Sequence, residues 1–210
     1  MNIDIWSDIA CPFCYVGKAQ LEAALEQFAH RDETTVTYHS FQLDPNAEKQ
    51  STQNIYQMLS AKYGRSEEVM RESNQRSFAS ASQYSITFNF DNVKLTNTFD
   101  AHRLIHFANT LGKQIEMKTA LMKAYFTDGL NVSDHKVLIE IAKEIGLDSK
   151  EVSEMLDSVA FSSEVATDIA QAKELGITGV PMFVIDMNYA VSGAQGTDAI
   201  LFALNKAWES

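Results

Sequence analysis

The chain has two cysteines, Cys11 and Cys14, and both lie in one Cys-Pro-Phe-Cys tetrapeptide. Three residues apart on a helix, two thiols are surface neighbours, close enough for a disulfide to open and close without gross distortion. Such a pair can attack a partner's disulfide with one thiolate and release the resulting mixed disulfide with the other. If Cys11 caps the helix, the orphan N–H groups and the positive helix end point at its sulfur and favour the anion. A helix terminus contributes about 0.3–1 kcal/mol, rising to about 2 in a favourable site. At about 1.36 kcal/mol per pKa unit, that brings Cys11 from about 8.5 towards about 7. Cys14, inside the first turn, is then the less exposed, resolving thiol. Pro12 suits the first helical position, where its missing N–H costs nothing. Phe13 supplies no cation, so a deeper depression needs one from elsewhere; Lys18, a turn or two further along, and Asp8, just upstream, are the candidate tuning groups.

Other chemistries have less support. A structural zinc site needs four ligands. There is no second cysteine pair, and the histidines (30, 39, 102, 106 and 135) are scattered, although His102 and His106 share a helix face at i, i+4. No metal is expected. No Gly-rich phosphate loop, GxSxG elbow or HExxH helix is present, so nucleotide, serine-hydrolase and zincin readings have no basis.

Composition narrows the class further. Among 210 residues, 45% are hydrophobic and 21% charged, with a formal net charge of −11. That is ordinary folded-protein usage, and its sign argues against a nucleic-acid or anionic-membrane partner. No apolar run approaches the roughly 18 residues of a spanning helix. The first ten residues, MNIDIWSDIA, carry two acids, no Lys or Arg and no long apolar stretch. They do not read as a secretory signal, so the expected location is cytoplasmic. There, a lone Cys-x-x-Cys next to a strand is redox-active or metal-binding more often than structural.

The elements that must hold the cysteines are legible as patterns. Residues 2–9 alternate as a strand, and Leu21, Ala24, Leu25 and Phe28 repeat at i, i+3, i+4, i+7 as a helix. Residues 35–43 are rich in β-branched and aromatic types and read as a second strand. A long block follows, with helices expected over 52–62, 66–82, 98–111, 114–127, 134–145 and 149–158. Ser133 is the expected N-cap before Asp134. Gly112 and Gly146 mark expected helix ends. A helix over 162–175 ends at Gly176, strands follow over 177–186 and 189–193, and an amphipathic helix runs from Gly196. Pro181 interrupts the third strand, so it belongs at an edge or at a first residue. In Asn97–Leu104, Asn97 or Thr98 is a candidate cap, Leu104, Ile105 and Ala108 read as core, and His102 reads first as a satisfied structural group.

Taken together, SDIACPFCYVGK (7–18), FQLDP (41–45), NTFDAHRL (97–104), AYFTDG (124–129), GITGVPMFVID (176–186) and AVSGAQ (190–195) resemble the DsbA-like thioredoxin-fold oxidoreductases, most closely the FrnE-like branch. The resemblance implies an α/β, thioredoxin-like fold, ordered βαβ…αββα, with a large all-helical insertion. Residues 1–43 and 161–210 would form the thioredoxin-like core and 44–160 the helical insertion covering the active face. Cys11 would attack and Cys14 resolve. Val180–Pro181 would be a cis bond beside them, with Val180 pairing to an extended substrate like an added strand. Pro12, Phe13 and His102 would support substrate binding, His102 by lining the groove.

The periplasmic oxidases carry His where this chain has Phe13. Losing that cation predicts a less oxidising couple, suited to reduction, isomerisation or a particular cytosolic substrate. The expected activity is therefore thiol–disulfide exchange with a protein or small-molecule thiol or disulfide. No cofactor is expected beyond the cysteine pair, with glutathione a candidate co-substrate, and the chain would act as a monomer or homodimer. The rival enzyme reading is a glutathione-dependent isomerase or transferase of the kappa-like class, which shares the architecture but typically presents serine at the first active-site position. A non-enzymatic reading, a holdase groove lined by the 8 Met and 12 Phe, competes with ordinary core packing for the same residues.

Overall fold

The structure, a computed structural model, describes the backbone of residues 1–210 and every side chain except that of Ser80. β1 (Asn2–Ser7), α1 (Pro12–Gln27) and β2 (Thr35–Ser40) form a parallel β-α-β unit. After six further helices come α8 (Ser162–Glu174), β3 (Met182–Ile185), β4 (Tyr189–Ser192) and α9 (Thr197–Trp208). The four strands make one mixed sheet in the order β2-β1-β3-β4. β3 runs antiparallel to β1, pairing Ile5 with Phe183 and Ile3 with Ile185.

The period of two decides which side chains go to which face. Ile3, Ile5, Tyr38, Phe183 and Ile185 are buried with Leu21 and Leu25 of α1 and Ile200 and Leu204 of α9. Trp6 turns to the other face and packs with Ala172 of α8 and Ile177. The sheet is therefore covered on both sides, as strands with so few exposed apolar residues require.

Between β2 and α8 lie α2 (Ile55–Tyr63), α3 (Glu67–Ser77), α4 (Phe99–Thr110), α5 (Gln114–Phe126), α6 (His135–Glu144) and α7 (Ser149–Leu156). Each falls where apolar periodicity placed a helix. The boundaries differ from expectation in several places: α2 starts at Ile55, behind its Asn54 cap, and not at 52, and the third strand covers only Met182–Ile185 of 177–186. α3 stops at Ser77 and the chain tightens into a 3-10 stretch, Ala79–Tyr84, because Phe78 turns into a cluster of aromatic rings with Phe13, Phe88 and Phe90. The N-cap of α6 is Asp134, whose side chain accepts from the Lys136 N–H, and not Ser133. The Ser133 hydroxyl instead donates to the Lys49 carbonyl at 2.5 Å. Gly112 and Gly146 end their helices at φ of 69° and 79°, the left-handed conformation that costs a glycine least.

The core of this helical block does not stop at β2. Leu104, Met117, Leu121 and Leu138 belong to one buried cluster with Ile9, Cys11, Cys14 and Val16. The helices thus pack directly onto the start of α1. The Val180–Pro181 bond is cis. Pro181 immediately precedes β3, so this central strand loses no ladder bond to it.

Candidate active site

β1 delivers the chain to the sheet's end at Ser7, and the turn Asp8–Ala10 leads into α1. Cys11 is the N-cap, with φ −98° and ψ 110°, and Pro12 follows as the first helical residue. The Cys11 carbonyl accepts from the Cys14 N–H at 3.0 Å. This turn sets the two cysteines side by side, both as free thiols whose ionisations are linked. Across from them, the Cys11 thiol donates to the Val180 carbonyl at 3.4 Å. The cis-proline loop is braced from behind, where the Gly193 N–H donates to the Pro181 carbonyl at 2.8 Å.

Cys14 is the less exposed thiol, as expected, at 1% against 3% for Cys11, and the helical block and the Val180 loop close over both. One expectation needs correction: the lower ionisation falls on Cys14 and not on Cys11. The hydrogen bond with Cys14, then burial, then the Asp8 charge push the Cys11 thiol well above the usual range. Burial opposes the Cys14 thiolate too. The Cys11 S–H, the Lys118 ammonium and the Ser7 hydroxyl outweigh it and hold Cys14 below the usual thiol value. The pair therefore shares a proton, giving up the first easily and the second with difficulty.

Lys118 is the residue that sequence reasoning missed. It sits on α5, is 1% exposed, and donates to the Ser7 carbonyl at 3.2 Å. Its ammonium also lies 5.7 Å from the Tyr38 ring centre. Burial pushes its pKa down to about 8. The signal was available: Lys118 is spaced i+3, i+4 and i+7 from Leu121, Met122 and Tyr125, on the apolar stripe of its helix. It also removes the premise that the site lacks a cation because Phe13 is not His. Lys18, by contrast, pairs with Glu22 at 2.6 Å and is not among the groups acting on either sulfur.

Asp8 is buried below Ala10. Its carboxylate accepts from Leu43 N–H at 2.8 Å, and the His102 Nε2 lies 3.3 Å away. Burial works against the Asp8 charge, but His102, the Leu43 N–H and the Lys118 ammonium overcome it and hold the carboxyl below the usual range. Burial dominates at His102 and pushes its pKa down, so the ring is neutral and donates its Nε2–H. His102 is 1% exposed. It stands behind Asp8 and does not line the groove. The rest of its motif is structural: Arg103 donates to the Met155, Ser158 and Ala160 carbonyls, satisfying the end of α7, and pairs with Asp100 at 2.8 Å.

Phe13 is 47% exposed, with its ring 4.9 Å from that of Phe78. Pro12 and Val180 are half-buried. A cavity of about 850 Å³ opens beside Asp8 and Ala10, with Leu43, Thr98 and Tyr125 in its wall and Asp44, Glu48 and Lys62 as its other charged lining. On the far side of the sheet, Asp168 of α8 accepts from the Ser40 N–H at 2.7 Å and pairs with His39 and His106, each at 2.9 Å. His106 therefore belongs to a clamp joining α4, α8 and β2, away from the cysteines. Among the described residues no group of three His, Cys, Asp or Glu side chains is placed to hold a metal ion.

A family model described as DSBA-like thioredoxin domain matches residues 2–205. The uncharacterized protein YwbO of Bacillus subtilis (strain 168) is 28% identical over 207 residues, covering 98% of this chain and 96% of its own. The probable DsbA oxidoreductase SCO1869 of Streptomyces coelicolor superposes with a TM-score of 0.96 at 41% identity, over 100% of this chain and 91% of that one. The cytosolic disulfide reductase DsbM of Pseudomonas aeruginosa, solved with GSH, shares the fold over 100% of both chains, with a TM-score of 0.72 at 18% identity.

Proposed function

Because this chain belongs to the DSBA-like thioredoxin family, we propose that it is a thiol–disulfide oxidoreductase working through Cys11 and Cys14. One observation carries the reading: two free thiols in the first turn of α1, Cys11 at its N-cap, with Cys11 donating to the Val180 carbonyl at 3.4 Å. A substrate thiolate attacks the Cys11 sulfur of the disulfide form, and Cys14 leaves as a thiolate. In the reverse direction Cys14 attacks Cys11 and releases the substrate. Val180, freed from the Cys11 thiol as the disulfide forms, offers its backbone to an extended substrate. The exposed Phe13 ring is an apolar contact beside it. Pro181 holds the loop in place, and His102 acts only through Asp8.

A tripeptide thiol such as glutathione is the co-substrate we assign, on the support of the DsbM structure solved with GSH. The expected location is the cytoplasm; among the described residues no helix is long and apolar enough to cross a membrane. The test is thiol trapping across a series of reduced-to-oxidised glutathione ratios. A single Cys11–Cys14 disulfide should form and be reduced reversibly, and changing both cysteines to serine should abolish exchange. Survival of a glutathione-dependent isomerase activity in that double variant would favour the kappa-like alternative instead.

A further inference from the structure

A fully buried lysine with one hydrogen bond needs a reason. Removing an ammonium from water is costly, and a neutral side chain of similar length is often as stable or more so in such a place. Lys118 donates to the Ser7 carbonyl at 3.2 Å and makes no other hydrogen bond among the described residues. Next to it is a second anomaly. The Ser7 hydroxyl is the one buried side-chain polar atom left without a hydrogen-bond partner among the described residues. Both residues act on the Cys14 sulfur, Lys118 through its charge and Ser7 through its hydroxyl. An uncommitted hydroxyl and an under-used ammonium converging on one sulfur are donors waiting for an anion.

We propose that Lys118 and Ser7 form an anion seat for the Cys14 sulfur, and that through it the helical block sets the redox equilibrium of the cysteine pair. The proposal rests on the exchange reading. When a substrate thiolate attacks the Cys11 sulfur of the disulfide, the S–S bond breaks and its electron pair goes to Cys14. The seat holds that charge, with the hydroxyl turning its proton onto the new thiolate. Apart from that turn of the hydroxyl, both donors are already in place when the charge develops, which is where preorganised donors act most strongly. Lys118 and Ser7 are positioning residues: they favour the leaving sulfur and exchange no electrons themselves. The seat stabilises the reduced form, so it makes the disulfide more oxidising than Phe13 alone suggests. The other ionisable groups facing it are Cys11, Asp8 and His102 on the cysteine side, with Lys18 and Tyr38 behind. Of these, Lys18 is committed to Glu22.

The experiment titrates the ultraviolet thiolate absorbance of the reduced protein against pH, and separately measures its equilibrium with glutathione. The variants are Lys118→Met, Lys118→Arg and Ser7→Ala. Lys118→Met should fold at least as well as the parent. Its first thiol ionisation should rise by about one unit, a tenfold loss of thiolate at neutral pH. Its disulfide should become about tenfold harder to reduce, equivalent to about 30 mV for a two-electron couple. Ser7→Ala should move both readings the same way by less, and Lys118→Arg should keep most of the parent's behaviour. A lysine that merely caps the Ser7 carbonyl would change stability and leave both readings in place. Unchanged titration and equilibrium in folded Lys118→Met would overturn the proposal. If that variant does not fold, an unchanged Ser7→Ala overturns it. The titration needs no turnover, so a parent chain that never forms its disulfide in glutathione buffer would sink the exchange reading while the seat is still decided.

Discussion

A methyl group placed on Gly17 would sit 3.0 Å from Cγ of Pro181 and 3.2 Å from the tip of the Phe183 ring. This glycine lies in the second turn of α1, where alanine would ordinarily stabilise the helix by about 0.5–1 kcal/mol. The close approach reverses the sign, since overpacking typically costs about 1–3 kcal/mol. Gly17→Ala should therefore lower the urea midpoint and slow disulfide exchange, because it pushes the loop carrying Val180 away from Cys11. A variant more stable than the parent would show that the loop gives way freely.

Access differs between the two sulfurs more through direction than through area. Cys11 faces the Val180 carbonyl, while the groups acting on Cys14 include Ser7 and Lys118. Cys14→Ser should accumulate a stable mixed disulfide through Cys11. Cys11→Ser should not trap one at a comparable rate. Mass spectrometry after exposure to a disulfide substrate reads both, and equal trapping would remove the division of roles.

Acid should destabilise the fold through His102 and Asp8. The His102 pKa is lowered by burial, so the unfolded chain takes up a proton near pH 6.5 while the folded one does not. Its contribution is present above that value and lost as pH falls below it. Asp8, also held low, loses its contribution further down, as pH falls through its folded value. In urea titrations at pH 7, 6 and 5, His102→Gln should flatten the slope between pH 7 and 5. An unaltered slope would place the acid sensitivity elsewhere.

The clamp behind the sheet titrates in the opposite sense. Burial works against the His39 charge, but Asp168 and Asp4 on either side outweigh it and raise its pKa. Its contribution is full below about pH 6.5 and fades as pH rises through the raised value. Asp168 is 7% exposed and holds two histidines and a backbone N–H. Asp168→Asn should cost about 3 kcal/mol, the order expected when one member of a buried pair is removed. Thermal unfolding at pH 6 measures it. The thiol titration should stay in place, since the clamp does not touch the cysteines.

The cavity beside Ala10 carries Asp44 and Glu48 at its mouth against a single lysine, Lys62. Oxidised glutathione is an anion, so its reaction with the reduced protein should speed up as salt rises from about 0.01 M to 0.15 M, where the screening length falls from about 30 to about 8 Å. Cystamine, a dication, should slow over the same range. Stopped-flow rates with both disulfides test this, and Asp44→Asn with Glu48→Gln should shrink both salt effects.

Sequence periodicity alone places the β-α-β entry, the six helices between β2 and α8, and Cys11 at the head of α1. These follow from residues within a turn or two of each other: apolar spacing, a proline at the first helical position, glycines at helix ends. Resemblance extends this to the sheet and to the Val180–Pro181 loop. The structure alone decides the electrostatics around the sulfurs. Lys118 reaches Ser7 across 111 positions of chain, and His102 reaches Asp8 across 94. No local pattern encodes such meetings. They exist because α4 and α5 pack their buried faces onto the start of α1, bringing a cation and an imidazole into a place where water is excluded and each charge must find a partner.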